Sequence, residues 1–249
     1  MTRARANKTV PPASVLAILP IAVRSRVEEL VAGLQQALGS ELKSVIAFGS
    51  AVRGGFDPAH SDVDLVIALQ HDLPELLDKI GPLLRMARAA ARVECVILLH
   101  DEIEHAADVF PLMYDDIRAC RSILFGDDPF ATLFVADEHR RLRIEQELRD
   151  ARIRLRRIVA GEGLAGPALG GAVAARIKLL RSPLHALFDL VGKEIKDDLT
   201  TVLRVAGDRW GADASALLSP TRDAVAALRA LRRVLDGAVD EVDALQVAR

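Results

Sequence analysis

Residues 44–67 read SVIAFGSAVRGGFDPAHSDVDLVI, which is two apolar runs separated by a loop rich in glycine. The first run ends at Gly49-Ser50, and the second carries Asp62 and Asp64. Successive side chains of a strand point to opposite faces, so we expect both aspartates on the same face. Two neighbouring carboxylates repel each other unless a cation lies between them. The stretch therefore predicts two strands that meet at a carboxylate pair suited to a divalent cation.

The turn between the two runs has the features of a phosphate-binding segment. Gly49 allows close approach of the backbone to a phosphate, and Ser50 offers a hydroxyl and an N–H group. Magnesium is commonly held by one or two carboxylates together with substrate phosphates. Alone, Gly-Ser is usually an ordinary turn and Asp-x-Asp a solvated strand edge. Their occurrence in this order, each beside an apolar run, favours a site for a metal-bound nucleoside triphosphate.

This arrangement resembles the signature of the polymerase-β-type nucleotidyltransferases, in the small bacterial form that includes minimal and aminoglycoside nucleotidyltransferases. The signature is Gly-Ser, often with Arg-Gly a few residues later, and then Asp-x-Asp on the next strand. The matching residues here are Gly49, Ser50, Arg53, Gly54, Asp62 and Asp64. The motif resemblance covers roughly residues 25–100, and beyond it the likeness is limited to a helical C-terminal region.

The resemblance implies a third carboxylate on a later strand, for which Glu94 in the apolar run 91–99 is the candidate and Asp101 the next. From the residues alone, a strand glutamate usually faces solvent. A charge at the start of an apolar run is costly when unpaired, which favours a functional role. The implied metal ligands and catalytic residues are Asp62, Asp64 and Glu94, holding two Mg²⁺ ions with Mn²⁺ as an alternative. The implied nucleotide-binding residues are Gly49, Ser50, Arg53 and Ser61.

The resemblance also implies the reaction. An acceptor hydroxyl, on a small molecule or on a protein, would receive a nucleoside monophosphate, with ATP as the implied donor of AMP. The alternative is a non-catalytic module that senses nucleotides or binds a partner as antitoxins do. The intact Gly49-Ser50 turn and both aspartates favour the enzyme, since a decayed site loses its carboxylates first.

The charge is divided unevenly along the chain. The 249 residues have a formal net charge of −2, but residues 1–136 hold 13 Lys and Arg against 18 Asp and Glu, and residues 137–249 hold 20 against 17. The acidic part contains the predicted metal site. The arginine-rich segment 138–159 lacks the interleaved aromatic residues of single-strand binders and carries balancing acids, so we expect no nucleic-acid partner.

The composition argues against a disulfide-rich, zinc-binding, membrane-spanning or secreted protein. The two cysteines, Cys95 and Cys120, indicate neither a disulfide framework nor a zinc site. No apolar stretch approaches the ~20 residues that span a bilayer, and the polar, basic N-terminus lacks the features of a secretory signal. We therefore expect a cytoplasmic protein without a membrane partner, and a homodimer remains open.

The patterns predict an α+β fold, in which a small mixed sheet with flanking helices is followed by an all-α bundle. We expect a flexible lead over residues 1–24, a nucleotidyltransferase catalytic domain over 25–135 and a helical domain over 136–249. The predicted strands of the first domain are 42–48, 63–69 and 92–99, and its main helices are 25–38 and 75–90. The predicted helices of the second domain are 138–159, 168–190 with a break at Pro183, 197–210 and 221–247.

Overall fold

The computed structural model describes residues 7–54, 56–58 and 61–246 and is 62% helical. The chain divides into two compact units, Met1–Val135 and Ala136–Arg249. The first contains the only sheet found in the described residues, and the second is built from helices. The predicted α+β class is therefore confirmed.

The sheet of the first unit has four strands in the order β3-β2-β1-β4. The strands are β1 Leu42–Phe48, β2 Val63–Leu69, β3 Val93–Leu99 and β4 Ser122–Gly126. β2 and β3 are parallel, whereas β1 is antiparallel to both β2 and β4. The sheet is thus mixed, as predicted, and β1 and β2 have the predicted bounds. The edge strand β4 was not predicted.

Helices cover both faces of this sheet. The helices of the first unit are α1 Pro12–Ile18, α2 Ile21–Leu38, α3 Ser50–Arg53, α4 Pro74–Ala91, α5 Glu102–His105 and α6 Pro111–Ala119. On one face, Leu34 of α2 and Ile80 of α4 pack with Leu65 of β2. On the other face, Val66 of β2 packs with Tyr114 of α6. β2 is therefore buried on both faces, which explains its continuous apolar sequence.

The flexible lead predicted for residues 1–24 stays a prediction, but much of this segment has defined contacts. Residues 1–6 lie outside the described residues, but from Asn7 onward the chain is folded against β4. The N–H of Val10 donates to the carbonyl of Arg121 at 2.7 Å, and Val15 and Leu19 are buried. The side chain of Arg121 is itself buried and binds Asn7 at 2.7 Å. This long-range tether could not be read from the polar sequence of the segment.

The second unit is a helical bundle. Its helices are α7 Asp137–Glu162, α8 Leu169–Leu179, α9 Arg181–Leu190, α10 Leu199–Trp210, α11 Ala214–Leu218 and α12 Ala224–Ala244. α7 and α12 pack against each other, and α12 also contacts α8 and α10. The break expected at Pro183 lies at Leu180 instead, because Pro183 occupies the first turn of α9, where proline is tolerated.

A helix that crosses a bilayer needs about 20 predominantly apolar residues. Among the described residues, no helix combines sufficient length with sufficient apolar character to cross a membrane.

Candidate active site

The predicted carboxylates meet where β1 ends and where β2 and β3 begin. Asp64 is paired with Phe48 of the antiparallel strand β1 and with Glu94 of the parallel strand β3. Paired residues of adjacent strands project from the same face of a sheet, so Asp64 and Glu94 are neighbours. Asp62 lies immediately before β2, two residues from Asp64. The three residues predicted as metal ligands are thus brought to one end of the sheet.

The Gly49-Ser50 turn lies directly against Asp64. Gly49 has φ 72°, a conformation that favours glycine, and a Cβ atom there would clash with the Oδ2 atom of Asp64. Ser50 then begins the short helix α3, in which the N–H of Arg53 donates to the carbonyl of Gly49 at 2.9 Å. Position 49 therefore requires glycine for two reasons: the turn needs a positive φ, and a Cβ atom would occupy the space of the Asp64 carboxylate.

Asp64 lies in an electrostatically unfavourable place for a carboxylate. Burial raises the pKa of Asp64 from 3.8 to about 6, and the negative charges of Asp62, Glu94 and Asp116 act in the same direction. The guanidinium of Arg53 acts against them. The predicted phosphate-binding arginine is therefore within electrostatic reach of the predicted metal site. At neutral pH the neighbouring carboxylates destabilise the ionised form of Asp64, and Arg53 only partly offsets their effect.

Asp116 is a residue of this site that the sequence analysis did not single out. It belongs to α6, which covers the same face of the sheet from which Asp64 projects. The only sequence signal was the acidic pair Asp115-Asp116 ahead of an apolar segment. Asp101, the reserve candidate for the third carboxylate, follows the C-terminal end of β3, whereas Glu94 lies at its N-terminal end. Asp116, not Asp101, is therefore the further carboxylate that acts on Asp64.

Two arginines of the α4–β3 junction bind the outer carboxylates. The Nε atom of Arg92 lies 2.8 Å from Oδ1 of Asp62, and Nε of Arg88 lies 3.0 Å from Oε1 of Glu94. Within the ranges that the structure describes, no group of three or more His, Cys, Asp or Glu side chains is arranged to hold a metal ion. A cation at all three carboxylates would therefore compete with Arg92 for Asp62 and with Arg88 for Glu94. Such exposed ion pairs are worth only about 1 kcal/mol or less.

Arg92 has an unusual backbone conformation. Its φ of 52° is the only positive value among the described non-glycine residues, and it ends α4 with a left-handed residue. The carbonyl of Arg92 accepts a hydrogen bond from the N–H of Val63 at 3.1 Å. Backbone strain of this kind persists where the surrounding structure holds it and is concentrated at functional sites. Here the left-handed conformation places the guanidinium of Arg92 beside Asp62. No sequence pattern indicated this conformation.

Ser61, predicted to bind nucleotide, closes the loop that precedes Asp62. Its N–H donates to the carbonyl of Asp57 at 2.7 Å, and its Oγ accepts from the N–H of Asp57 at 3.0 Å. Gly55, Ala59 and His60 of the same loop lie outside the described residues. The structure thus gives Ser61 a local role next to Asp62, and its contact with nucleotide stays a prediction.

Comparison with known proteins identifies the family of the chain. The family model described as "Nucleotidyltransferase domain" matches residues 27–151, just over half of the chain. The chain belongs to the nucleotidyltransferase family. The match extends from α2 through the whole sheet into α7, so it includes every predicted site residue of this nucleotidyltransferase.

A solved structure shows the same fold over most of the chain. It is the spectinomycin adenyltransferase AAD(9) from Enterococcus faecialis, crystallised with ATP and spectinomycin. The TM-score is 0.53 at 12% sequence identity, and the match covers 88% of this chain and 98% of that chain. No curated protein matches this nucleotidyltransferase. The family match and the structural match together confirm the predicted polymerase-β-type resemblance.

The donor set of the site fits a divalent cation. Nucleotidyltransferases of this fold generally use divalent metals. Asp62, Asp64 and Glu94 offer hard carboxylate oxygens, and burial together with the negative charges of Asp62 and Glu94 raises the pKa of Asp64. A cation among them would relieve this repulsion.

Proposed function

We propose that this protein is a divalent-metal-dependent enzyme that transfers AMP from ATP to the hydroxyl group of an acceptor. The observation that carries the proposal is the contact between the Gly49 turn and the Asp64 carboxylate, with Asp62 and Glu94 beside it. A phosphate-binding turn and a cation-binding carboxylate group at one point are what a metal–triphosphate complex requires. Membership of the nucleotidyltransferase family supports nucleotide transfer.

The triphosphate binds along the turn in this proposal. The backbone of Gly49 and the hydroxyl of Ser50 contact phosphate oxygens, and the guanidinium of Arg53 offers them paired N–H donors. The charge of Arg53 already reaches Asp64, so a phosphate placed between the two is within range of both. Ser61 keeps the preceding loop closed and holds Asp62 at the start of β2.

Asp62, Asp64 and Glu94 would hold Mg²⁺, as two ions, and Mn²⁺ could replace it. Such ions, when bound, neutralise charge on the phosphates and lower the pKa of an oxygen nucleophile. Asp64 is suited to this role because a carboxyl with a pKa of about 6 is ionised at neutral pH. Arg92 and Arg88 hold the outer two carboxylates at the rim of the site until a cation competes for them.

The reaction is a single displacement at the α-phosphorus. The acceptor hydroxyl loses its proton to water, and its oxygen forms a bond to this phosphorus. The bond in line with it, to the oxygen that bridges the α- and β-phosphorus atoms, breaks and releases pyrophosphate. The product is an ester of AMP. The chain contributes positioning and electrostatics, since the Gly49-Ser50 turn and Arg53 fix the phosphates while the carboxylates face the reacting centre.

A small molecule is the acceptor that the comparisons favour, and a protein hydroxyl is the second candidate. The matching adenyltransferase was crystallised with spectinomycin as well as ATP. The local excess of carboxylates, formed by Asp62, Asp64, Glu94 and Asp116, would also attract a cationic acceptor.

Label transfer from ATP tests the proposal. The protein is incubated with Mg²⁺, ATP labelled at the α-phosphate, and either spectinomycin or a size-fractionated protein extract. We expect label in an acceptor with the wild-type protein and none with Asp64→Asn. Transfer at the same rate by Asp64→Asn would contradict the proposed site, and transfer of label from the γ-phosphate would contradict the proposed reaction.

A further inference from the structure

A cavity lies wholly within the helical unit. It has a volume of about 520 Å³ and is formed by the second half of α7, residues 225–236 of α12 and Leu164 of the loop after α7. Pockets that bind small molecules are of this size and commonly lie between the helices of a bundle. All of its lining residues belong to Ala136–Arg249, so the cavity is distinct from the carboxylate site on the sheet.

The floor of this cavity is apolar. The side chains of Leu155, Leu228 and Leu235 are buried beneath it, and Val159 and Val225 line it as well. None of the described lining residues is aromatic. The cavity therefore offers no stacking platform for a nucleobase, and its floor suits an aliphatic body.

The rim of the cavity is strongly basic. Four arginines line it, Arg152, Arg156, Arg229 and Arg232, together with one carboxylate, Asp236. Asp236 is shared between Nε of Arg152 at 3.3 Å and Nε of Arg232 at 3.7 Å. Arg156 and Arg229 form no ion pair with any residue that the structure describes. The rim thus has three positive charges in excess, two of them on guanidinium groups open to a ligand.

The other arginines of α7 show that this arrangement is particular to the cavity. The helix has six arginines outside the cavity lining, and five of them pair with carboxylates: Arg140, Arg141, Arg143, Arg149 and Arg154. Most are neutralised by an acid three or four positions away on the same helix, the spacing that stabilises an exposed helix surface. Neither Arg156 nor Arg229 has an acidic residue three or four positions away, although apolar surface lies directly below them.

We propose that this cavity is a binding site for a free, soluble anion with an aliphatic body and a phosphate or carboxylate head. The head is bound by Arg156 and Arg229, whose planar guanidinium groups match phosphate and carboxylate oxygens. The body covers Leu155, Leu228 and Leu235. The ligand is opposite in charge to a cationic acceptor, so this site is separate from the proposed transfer reaction.

Calorimetry on the full-length protein with three probes tests the site. The probes are octyl phosphate, inorganic phosphate and octylammonium, all titrated in EDTA so that a metal–phosphate complex at the carboxylate site does not contribute. We expect saturable binding of one octyl phosphate per chain and affinities at least about tenfold weaker for the other two probes. Equal affinity for octylammonium, or no saturable binding of octyl phosphate, would overturn the proposal.

Variants place the binding at the rim. The double substitution Arg156→Gln with Arg229→Gln should weaken octyl phosphate binding about tenfold or more, since it removes two charged hydrogen-bonding groups. The matched control, Arg154→Gln with Arg204→Gln, also removes two exposed arginines of this unit and should change the affinity less than about twofold. If the double variant does not fold, the two single variants replace it. Equal losses in variant and control would overturn the assignment.

Asp236→Asn gives a test in the opposite direction. It removes the only carboxylate of the described rim and releases Arg152 and Arg232, so octyl phosphate should bind more tightly by about threefold or more. Weaker binding would contradict the proposal.

Vesicles of phosphatidylglycerol distinguish a free ligand from a lipid surface. If the protein sediments with the vesicles but does not bind octyl phosphate, the cavity is a membrane surface site, and the proposal of a free ligand is wrong.

Discussion

Asp64 combines partial burial, three neighbouring carboxylates and one nearby arginine. The folded protein therefore binds a proton at Asp64 more tightly than the unfolded chain does, because the pKa is raised from 3.8 to about 6. A raised carboxyl pKa means that the ionised group destabilises the folded state. This loss begins as the pH rises above 4, is complete above about 6, and is absent at lower pH.

Asp64→Asn should accordingly have opposite effects on stability and activity. In EDTA at pH 8 we expect the free energy of unfolding to increase by about 1–2 kcal/mol, a value discounted for the partial exposure of the side chain. The gain should shrink towards zero as the pH falls to 4, while nucleotidyl transfer is lost at every pH. Denaturant unfolding at several pH values measures the first effect. A stability change that is independent of pH would contradict the proposed electrostatic cause.

Glu94 is expected to be the third metal ligand. Glu94→Gln preserves the volume of the side chain but removes its charge, so the fold should persist while the transfer rate falls by about two orders of magnitude. Glu104→Gln, an exposed change of the same chemistry on α5, is the control and should leave the rate unchanged. Both variants are compared by label transfer at saturating Mg²⁺. If Glu94→Gln is fully active, the third carboxylate is Asp116, since Asp101 lies beyond the other end of β3.

At the scale of elements, the turn from β1 to α3 fixes the site. Gly49 and Gly39 both have positive φ values, 72° and 55°, but only Gly49 faces a neighbouring group. At Gly39 a Cβ atom would find nothing within 4 Å. Substitution of Gly39 therefore introduces backbone strain alone, whereas substitution of Gly49 introduces strain and also crowds the carboxylate of Asp64.

Gly49→Ala and Gly39→Ala should both destabilise the protein by about 1–3 kcal/mol through strain. Only Gly49→Ala should abolish transfer at a temperature where both variants are folded, because its methyl group displaces the carboxylate of Asp64. Circular dichroism establishes the folded fraction, and label transfer measures the rate. Equal activity of the two variants, corrected for folding, would show that the turn does not position Asp64.

The sequence predicted the elements that have a local signal and missed those that depend on contacts distant in sequence. β1 and β2 are apolar runs bounded by polar residues, a local signal that gave their limits and the place of Asp62 and Asp64. α6 and β4 were missed because residues 117–124, which read IRACRSIL, show no local boundary between the end of the helix and the start of the strand. β4 exists only through pairing with β1, a contact distant in sequence. The ion pairs of Arg88 and Arg92 depend on the left-handed end of α4, which has no signature in a single sequence.

At the scale of the whole molecule, charge is separated along the chain. Residues 1–136 hold the carboxylate site and an excess of five acidic residues, whereas residues 137–249 hold the arginine-rimmed cavity and an excess of three basic ones. Fields of opposite sign attract different ligands, so we expect a cation-dependent site in the first part and a cation-independent anion site in the second. The affinity of a phosphate compound measured without a divalent cation should therefore report on the second site and not on the first.

ATP binding should require a divalent cation. A triphosphate brings about four negative charges towards Asp62 and Asp64, which repel it, and a cation shared between them reverses the sign of the interaction. We expect calorimetry to show ATP binding at least about tenfold tighter in Mg²⁺ than in EDTA. The variant Arg156→Gln with Arg229→Gln should retain this difference, because its substitutions lie in the helical cavity, whereas Asp64→Asn should lose it. Equal affinity in EDTA and in Mg²⁺ for the wild-type protein would mean that the phosphates bind away from these carboxylates.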